Sequence, residues 1–355
     1  MCSNSNHLSS FKQLHLKHII MKKISTLLLS VIFFLTAALT SFAQKEVHKT
    51  FSPKEKISIS TVSGDCMIKK GGNDEIKVKL IYTYSDDCFE YSFKEDNNSL
   101  MIKEEFNGRN CNGESEWIIT TPSNVNIKFN TASGDLELNG VDNSISASTA
   151  SGDMELKNVG KEVDISTASG DIKLENINGN SIISTASGNI TAKNCVDGIK
   201  LSTASGNIDL EDINGKISLS AASGDITIIN ASGEFKVKTA SGNIEAENIE
   251  LTDESYLGAA SGDVEVSLSK SAVYDLTISS ASGNSILDYN GNDIKGFFEF
   301  SARKDKGAIF SPIKFDKEEV VEKNGKDYDV KSFTAGSDNP EIIIKTASGK
   351  AQLKK

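Results

Sequence analysis

Residues 149–184 read TASGDMELKNVGKEVDIS followed by TASGDIKLENINGNSIIS, and this eighteen-residue period decides the fold. The motif Thr-Ala-Ser-Gly-Asp, or a close variant of it, occurs seven times between Thr131 and Asn243. A fixed period in this range is typical of repeat proteins, in which one supersecondary unit stacks on copies of itself. The serine of the motif keeps the period without a slip at Ser133, Ser151, Ser169, Ser187, Ser205, Ser223 and Ser241.

Each repeat contains two short stretches in which apolar residues alternate with polar ones. This period of two predicts strands with one face turned inward. The first strand of each repeat supplies the column Leu136, Met154, Ile172, Ile190, Ile208, Ile226 and Ile244. The second strand supplies the column Ala147, Ile165, Ile183, Leu201, Leu219 and Val237.

The turns between these strands are also visible in the sequence. Ser-Gly-Asp or Ser-Gly-Asn closes one end of each repeat, and Asn-x-Asn-Gly closes the other, with residues that accept positive φ or bond their own backbone. The sequence therefore predicts an all-β, single-chain β-solenoid of eighteen-residue coils, similar to a β-helix or β-roll, with two strands per coil. Parallel connections favour a right-handed coil. Threonine and asparagine columns, such as Thr149 and Asn158, are expected to form ladders of mutually bonded side chains.

The period loosens at both ends of the chain. We assign residues 131–285 to regular repeats, 44–130 to amino-terminal coils and a cap with an insertion, and 286–355 to carboxy-terminal coils with insertions and a cap. Residues 21–43 have the basic start, apolar run and small residues of a secretory signal peptide. Residues 1–20 are interpreted as an upstream extension. The predicted location is therefore exported, in the periplasm, at the cell surface or secreted, with no membrane span after cleavage.

Charge and composition limit the possible partners. The formal net charge is -11, and it becomes -15 without residues 1–43, which contain four lysines and no acidic residue. A chain this acidic repels phosphate backbones, so nucleic acid is not an expected partner. Histidine occurs only once after residue 43, at His48, so we expect no histidine-based catalytic or metal site.

The repeated Thr-Ala-Ser-Gly-Asp-Ile with Asn-Gly turns, the lead-in from Trp117 to Val125 and the closing segment from Ile344 to Lys350 resemble a known bacterial family. This is the β-strand-repeat domain of unknown function labelled "putative adhesin", to which head-GIN adhesin-like domains are related. The resemblance covers most of residues 45–353. It implies a β-solenoid of the cell envelope and brings no catalytic motif or cofactor.

Aspartates in the Ser-Gly-Asp turns are the sharpest candidates for a metal site. Carboxylates stacked about 5 Å apart repel each other, and calcium between the coils would relieve that repulsion. Asparagine stands at three of the eight turn positions, however, so we favour an Asx turn in which each side chain caps its own backbone. The calcium candidates are Asp135, Asp153, Asp171, Asp225 and Asp263.

A column of outward serines on the second strand is the candidate binding face, suited to weak multivalent contact with a carbohydrate or protein surface. A soluble face of small side chains is the alternative. The column comprises Ser148, Ser166, Ser184, Ser202 and Ser220. These features predict a non-catalytic exported solenoid that serves as an adhesin or envelope scaffold. Two alternatives are a carbohydrate-active β-helix enzyme, which requires acidic residues in a groove walled by aromatics, and a self-associating structural protein.

The cysteines after residue 43 fall into two groups. Cys66 and Cys195 occupy inward positions, where a thiol behaves as a small apolar group. Cys88 and Cys111 both lie in the amino-terminal insertion and could be joined in an oxidising compartment. Of the three possible connectivities of four cysteines, we favour a single bridge between Cys88 and Cys111. No cofactor is expected.

Overall fold

The computed structural model describes residues 44–72, 74–108 and 111–355. The predicted extension at 1–20 and signal peptide at 21–43 lie outside these residues. The described residues form β-strands and no helix, and so contain no helical segment long and apolar enough to cross a membrane. The unit described below is Glu46–Lys355.

The strands divide into three groups along the chain. The amino-terminal strands are β1 (Lys45–Phe51), β2 (Lys56–Ser60), β3 (Asp65–Lys70), β4 (Ile76–Tyr82), β5 (Phe89–Glu95), β6 (Ser99–Phe106), β7 (Ser115–Thr121) and β8 (Asn126–Asn130). The array comprises β9 (Leu136–Val141), β10 (Ile145–Thr149), β11 (Met154–Val159), β12 (Val163–Thr167), β13 (Ile172–Ile177), β14 (Ser181–Thr185), β15 (Ile190–Cys195), β16 (Ile199–Thr203), β17 (Ile208–Ser223), β18 (Ile226–Ile229), β19 (Ser232–Ser241) and β20 (Ile244–Leu251). The carboxy-terminal strands are β21 (Ser255–Ser261), β22 (Val264–Leu268), β23 (Leu276–Ser282), β24 (Ser285–Asp288), β25 (Gly296–Arg303), β26 (Gly307–Phe310), β27 (Lys317–Lys323), β28 (Lys326–Ala335), β29 (Glu341–Thr346) and β30 (Gly349–Lys354).

Strands of the array pair in parallel with the equivalent strand of the next coil. The first strands of the coils form sheet 1, in which Met154 pairs with Ile172 and Ile172 with Ile190. The second strands form sheet 2, in which Ala147 pairs with Ile165. Because the register equals the sequence period, the apolar columns stack into one continuous core between the sheets. The predicted all-β solenoid is confirmed.

The glycine of each Ser-Gly-Asp turn is required by close packing between coils. A β-carbon on Gly188 would lie 1.9 Å from the carbonyl oxygen of Gly170 in the preceding coil, and the same distance recurs at Gly152, Gly170, Gly206 and Gly224. Positive φ, the reason given from the sequence, is therefore not the cause at these five glycines. It occurs at later copies of the turn, such as Gly242, whose φ is 154°.

The opposite turn depends on asparagine in the left-handed region. Asn176 has φ of 58° and donates through Nδ2 to Oδ1 of Asn158 at 3.0 Å, and Asn194 donates to Asn176 in the same way at 3.1 Å. This asparagine ladder has the expected mutual bonds. The threonine column does not. Thr185 Oγ1 instead accepts from the amide of Gly188 and donates to the carbonyl of Gly170, so these side chains hold the backbone rather than each other.

At the amino-terminal end, the insertion lies outside the first coil. Strands β2 and β3 stack directly on β8 and β9, although about seventy residues separate Asp65 from its equivalent, Asp135. The inserted β6 and β7 pair with the other edges of β2 and β3 and form the next coil outward. Antiparallel strands β5 and β4 then cover β6 and β7.

The carboxy-terminal end has the same arrangement in reverse. The last strands of the chain, β29 and β30, are inserted between the coil of β23 and β24 and the outer strands β25 and β26. The antiparallel hairpin of β27 and β28 covers β25. At the carboxy-terminal end, β29 and β30 thus lie beneath strands that precede them in the chain. At the amino-terminal end, β2 and β3 lie beneath strands that follow them, whereas β1 pairs with the outer β4.

Candidate functional site

The Asp and Asn side chains of the Ser-Gly-Asp turns link consecutive coils. The backbone N–H of Asp153 donates to Oδ1 of Asp135 at 2.8 Å, and the N–H of Asp171 donates to Oδ1 of Asp153 at 2.8 Å. The same bond joins Asp225 to Asn207 and Asp263 to Asn243. The series of these bonds starts at Asp65 in the first coil. It ends at Asn284, whose Oδ1 accepts from the backbone N–H of Lys350.

These contacts correct the expectation that each side chain caps its own backbone. The acceptor serves the next coil, so it closes a hydrogen bond between coils at the point where strand pairing stops. An amide oxygen accepts as well as a carboxylate oxygen, which explains why Asp and Asn alternate along the column. All five calcium candidates have this role. Residues 44–72, 74–108 and 111–355 include no cluster of three metal-ligating side chains.

The predicted serine face lies on the outer surface of sheet 2. Ser148 pairs with Ser166, and the column runs in register through Ser184 and Ser202 to Ser220. All five serines are exposed or half-buried. A parallel outward column of alanines lies beside them, at Ala150, Ala168, Ala186, Ala204 and Ala222. The result is a flat strip of small side chains.

The serine column changes character after Ser220. In the next coils its positions are taken by Lys238, Gly258, Ser279 and Lys345. Tyr256, two residues before Gly258, lies across the glycine, because a β-carbon there would be 2.3 Å from the tyrosine hydroxyl. That hydroxyl is 3.0 Å from the hydroxyl of Ser279. Gly258 therefore leaves the space that allows the ring of Tyr256 to lie flat on the sheet.

A groove of about 520 Å³ lies over this part of sheet 2. Its floor is made of small residues of sheet 2, and the tip of the β27–β28 hairpin contributes a wall through Lys323, Asn324 and Tyr328. The hairpin can turn tightly because Asn324 and Gly325 both have positive φ. The residues that line the groove are Lys238, Thr239, Tyr256, Gly258, Ala259, Ala260, Ser279, Ser280, Ala281, Ser301, Lys323, Asn324, Tyr328, Lys345, Thr346 and Ala347.

Three lysines and two tyrosines are the charged and aromatic residues that line the groove. The ammonium group of Lys238 lies 5.4 Å from the ring centre of Tyr256, and that of Lys323 lies 5.7 Å from the ring centre of Tyr328. Lys345 lies on β29, in the floor of the groove, between the strands that carry Lys238 and Lys323. In the part of the chain that the structure describes, none of the three forms an ion pair. The lining contains no Asp or Glu side chain.

Sequence reasoning placed the binding face in the array and missed the groove. The sequence did contain a signal for the floor of the groove, because Lys238 and Gly258 follow a column that is serine from Ser148 to Ser220. The wall formed by the β27–β28 hairpin had no such signal in the sequence. Tyr328 is brought to Tyr256 only by the strand order at the carboxy-terminal end, which the sequence period does not encode.

The cysteines complete the set of predicted site residues. Cys88 and Cys111 form a disulfide with their Cα atoms 5.8 Å apart. Cys66 and Cys195 are free and buried in the core. Burial raises the pKa of the Cys66 thiol, and it raises the pKa of the Cys195 thiol to about 11. Both thiols are therefore protonated and unreactive near neutral pH.

Comparison with known proteins gives a family match for part of the chain. Residues 160–308 match the model of the Toastrack family, DUF4097, a domain of unknown function. The family resemblance predicted from the sequence is confirmed. No curated protein matches the sequence.

The solved structures that match this chain have low sequence identity and low TM-scores. A "putative cell adhesion protein" from Clostridium sporogenes is 13% identical over 88% of this chain and 99% of that chain, with a TM-score of 0.19. A "putative lipid binding protein" from Parabacteroides distasonis is 13% identical over 88% and 96% of the two chains, with a TM-score of 0.34. A "putative adhesin" from Bacteroides fragilis is 12% identical over 87% and 97%, with a TM-score of 0.27.

Proposed function

Because residues 160–308 carry the Toastrack repeat, we propose that this chain is an exported, non-catalytic binding protein that uses the outer surface of sheet 2 for adhesion or envelope scaffolding. The observation that carries the proposal is the unbroken column from Ser148 to Ser220, in register from coil to coil and flanked by exposed alanines. Flat, small-residue surfaces allow a partner to approach the backbone over a long distance.

The length of the stack supports multivalent binding. Eight steps separate the coils of Ser133 and Ser282, which amounts to roughly 38 Å at the usual spacing between paired strands. Weak contacts repeated along a rigid surface combine into useful avidity without a deep pocket. The expected partner is a carbohydrate or protein surface that is itself extended.

A pair of matched variants tests which sheet makes the contact. Ser166→Lys with Ser184→Lys places two long side chains on the sheet 2 column. Thr191→Lys with Thr227→Lys places two on outward positions of sheet 1. Binding of the full chain to isolated envelope material is measured by biolayer interferometry. The sheet 2 variant is expected to bind about tenfold more weakly and the sheet 1 variant like the parent. Equal binding by all three proteins would contradict the proposal.

Export and the absence of catalysis are tested separately. The basic and apolar pattern of residues 21–43 and the disulfide between Cys88 and Cys111 support an oxidising location. Protease treatment of intact cells is expected to digest the protein, whereas protection until lysis would place it inside the envelope. Release of sugars from envelope polysaccharide by the purified chain would favour the enzyme alternative.

A further inference from the structure

We propose that the groove between Tyr256 and Tyr328 binds an acidic sugar residue, such as a uronate unit of a glycan. The inference rests on the proposed binding function and adds a specific ligand class to it. The groove interrupts the flat face at the point where the serine column ends, so one end of the binding surface differs from the rest. Its volume of about 520 Å³ falls within the range of roughly 300–1,000 Å³ found for small-molecule sites.

The charge of the groove favours an anion. Lys238, Lys323 and Lys345 come from three different strands and converge on one space that no acidic side chain lines. The chain as a whole has a net charge of -11, so the charge of the groove is opposite in sign to that of the chain. Because the lysines form no ion pair within the described residues, their ammonium groups can meet a carboxylate without first breaking an ion pair.

The tyrosines favour a sugar over a simple anion. The ring of Tyr256 lies over Gly258 of the sheet, and Tyr328 of the β27–β28 hairpin also lines the groove. Flat aromatic faces pack against the C–H faces of sugar rings, while hydroxyl groups such as that of Ser279 exchange hydrogen bonds with sugar hydroxyls. A phosphate alone would use the lysines but gain nothing from either ring. The combination therefore points to a ring that carries a carboxylate.

The experiment compares two trisaccharides of the same size. Trigalacturonate is titrated into the full chain by isothermal calorimetry, next to the neutral trisaccharide obtained by reducing its carboxyl groups. The acidic sugar is expected to bind at least about tenfold more tightly, because only it can pair with the lysines. Equal affinity for the two sugars, or no binding of either, would overturn the inference.

Variants connect the binding to this groove. Lys345→Gln removes a charge from the floor, and Gly258→Ser restores the residue type of the column while expelling the ring of Tyr256. Each is expected to weaken trigalacturonate binding about tenfold. Lys173→Gln removes an exposed lysine from the outward surface of sheet 1 and is expected to have no effect. Unchanged melting temperatures show that the variants fold, and unchanged affinity in both groove variants would contradict the site.

Two further outcomes separate this inference from the proposed function. Inorganic phosphate is expected not to displace trigalacturonate at equal concentration, and full displacement would reduce the groove to a simple anion site and overturn the sugar assignment. If the chain binds envelope material through sheet 2 but ignores trigalacturonate, the groove inference fails and the proposed function stands. Loss of envelope binding in Gly258→Ser together with loss of trigalacturonate binding supports both.

Discussion

The array and the two ends of the solenoid solve the same stacking problem differently. In the array every coil is bonded by copies of the coil before and after it, and only one aromatic residue, Phe235, lies between residues 131 and 251. At the ends, unique residues replace the missing neighbour. The amino-terminal end packs Trp117 among Tyr91 and Phe93, and the carboxy-terminal end stacks Phe298 on Phe333.

Glu104 shows most clearly how an end replaces a coil. In the array, the N–H of the turn serines from Ser151 to Ser223 donates to an alanine carbonyl of the preceding coil, as Ser169 does to Ala150 at 3.1 Å. The first turn, between β2 and β3, is bordered by the outer coil of β6 and β7, which carries no Thr-Ala-Ser-Gly motif. Instead, the amides of Val62 and Ser63 donate to Oε2 of the buried Glu104 carboxylate at 2.7 and 3.2 Å. Repetition makes array residues interchangeable, whereas an end depends on individual side chains.

The largest expected effect comes from breaking the fit between array coils. Gly188→Ala would put a β-carbon 1.9 Å from the carbonyl oxygen of Gly170, and this contact is with backbone, so no flexible side chain can move to relieve it. We expect a loss of about 3 kcal/mol in the free energy of unfolding, measured by urea denaturation.

The matched control for this substitution is Gly72→Ala. Gly72 is exposed and a β-carbon there meets no atom within 4 Å, so the expected change is within about 0.5 kcal/mol. The same loss is expected at Gly170 and Gly206, because the array repeats its contacts. An unaltered urea midpoint for Gly188→Ala would show that the coils can separate at this turn without cost, and would break the contrast between array and ends.

The second prediction concerns the cap. Glu104→Met keeps an apolar stem of similar length but removes the acceptor of the Val62, Ser63 and Gly64 amides. Buried donors without a partner are costly, so we expect a loss of about 2 kcal/mol in the free energy of unfolding. Amide hydrogen exchange at Val62–Gly64 should accelerate more than exchange in the array.

Glu137→Met provides the comparison, since Glu137 is an exposed glutamate on the surface of the array. Its expected change in unfolding free energy is within about 0.5 kcal/mol. Equal losses in the two variants would mean that Glu104 acts only as one more surface acid. The cap would then depend on its aromatic core alone.

The sequence predicted the array well because the buried apolar residues there recur at the eighteen-residue period of the sequence. Ile172 and Ile190 are eighteen residues apart and pair directly in sheet 1, so the strands predicted for one coil predict those of the other coils. The ends could not be read in this way. Ser282 and Ser348 occupy equivalent positions in neighbouring coils but are separated by an excursion through β25 to β28, and nothing in the local pattern fixes the order in which those strands stack.

The groove was unpredictable for the same reason. Tyr256 and Tyr328 are far apart in the sequence and line the same groove because β29 enters between β23 and β25. The aspartate turns were recognised, but the direction of their hydrogen bonds was not. A side chain that caps its own turn and one that caps the next coil look identical in a single repeat, and only the stacking distance distinguishes them.

The smallest expected effect sharpens the account of interchangeable array residues. Asp153→Ala removes the oxygen that accepts from the Asp171 amide at 2.8 Å, and the expected loss is about 1 kcal/mol in the free energy of unfolding. Asp153→Asn should leave stability within about 0.5 kcal/mol of the parent, because Asn189 already accepts from Asn207 at 3.0 Å in an equivalent bond. Both changes are measured by urea denaturation.

Calcium provides the decisive contrast for this pair of variants. If the aspartates serve only as hydrogen-bond acceptors, a chelator leaves the melting temperature of the parent and of Asp153→Asn unchanged. A metal between the coils would require the negative charge, since calcium prefers carboxylate ligands. Asp153→Asn would then lose as much stability as Asp153→Ala, and the chelator would destabilise the parent more than either variant. Asparagine at Asn189, Asn207 and Asn243 argues for the first result, because each holds its neighbouring coil through a neutral oxygen.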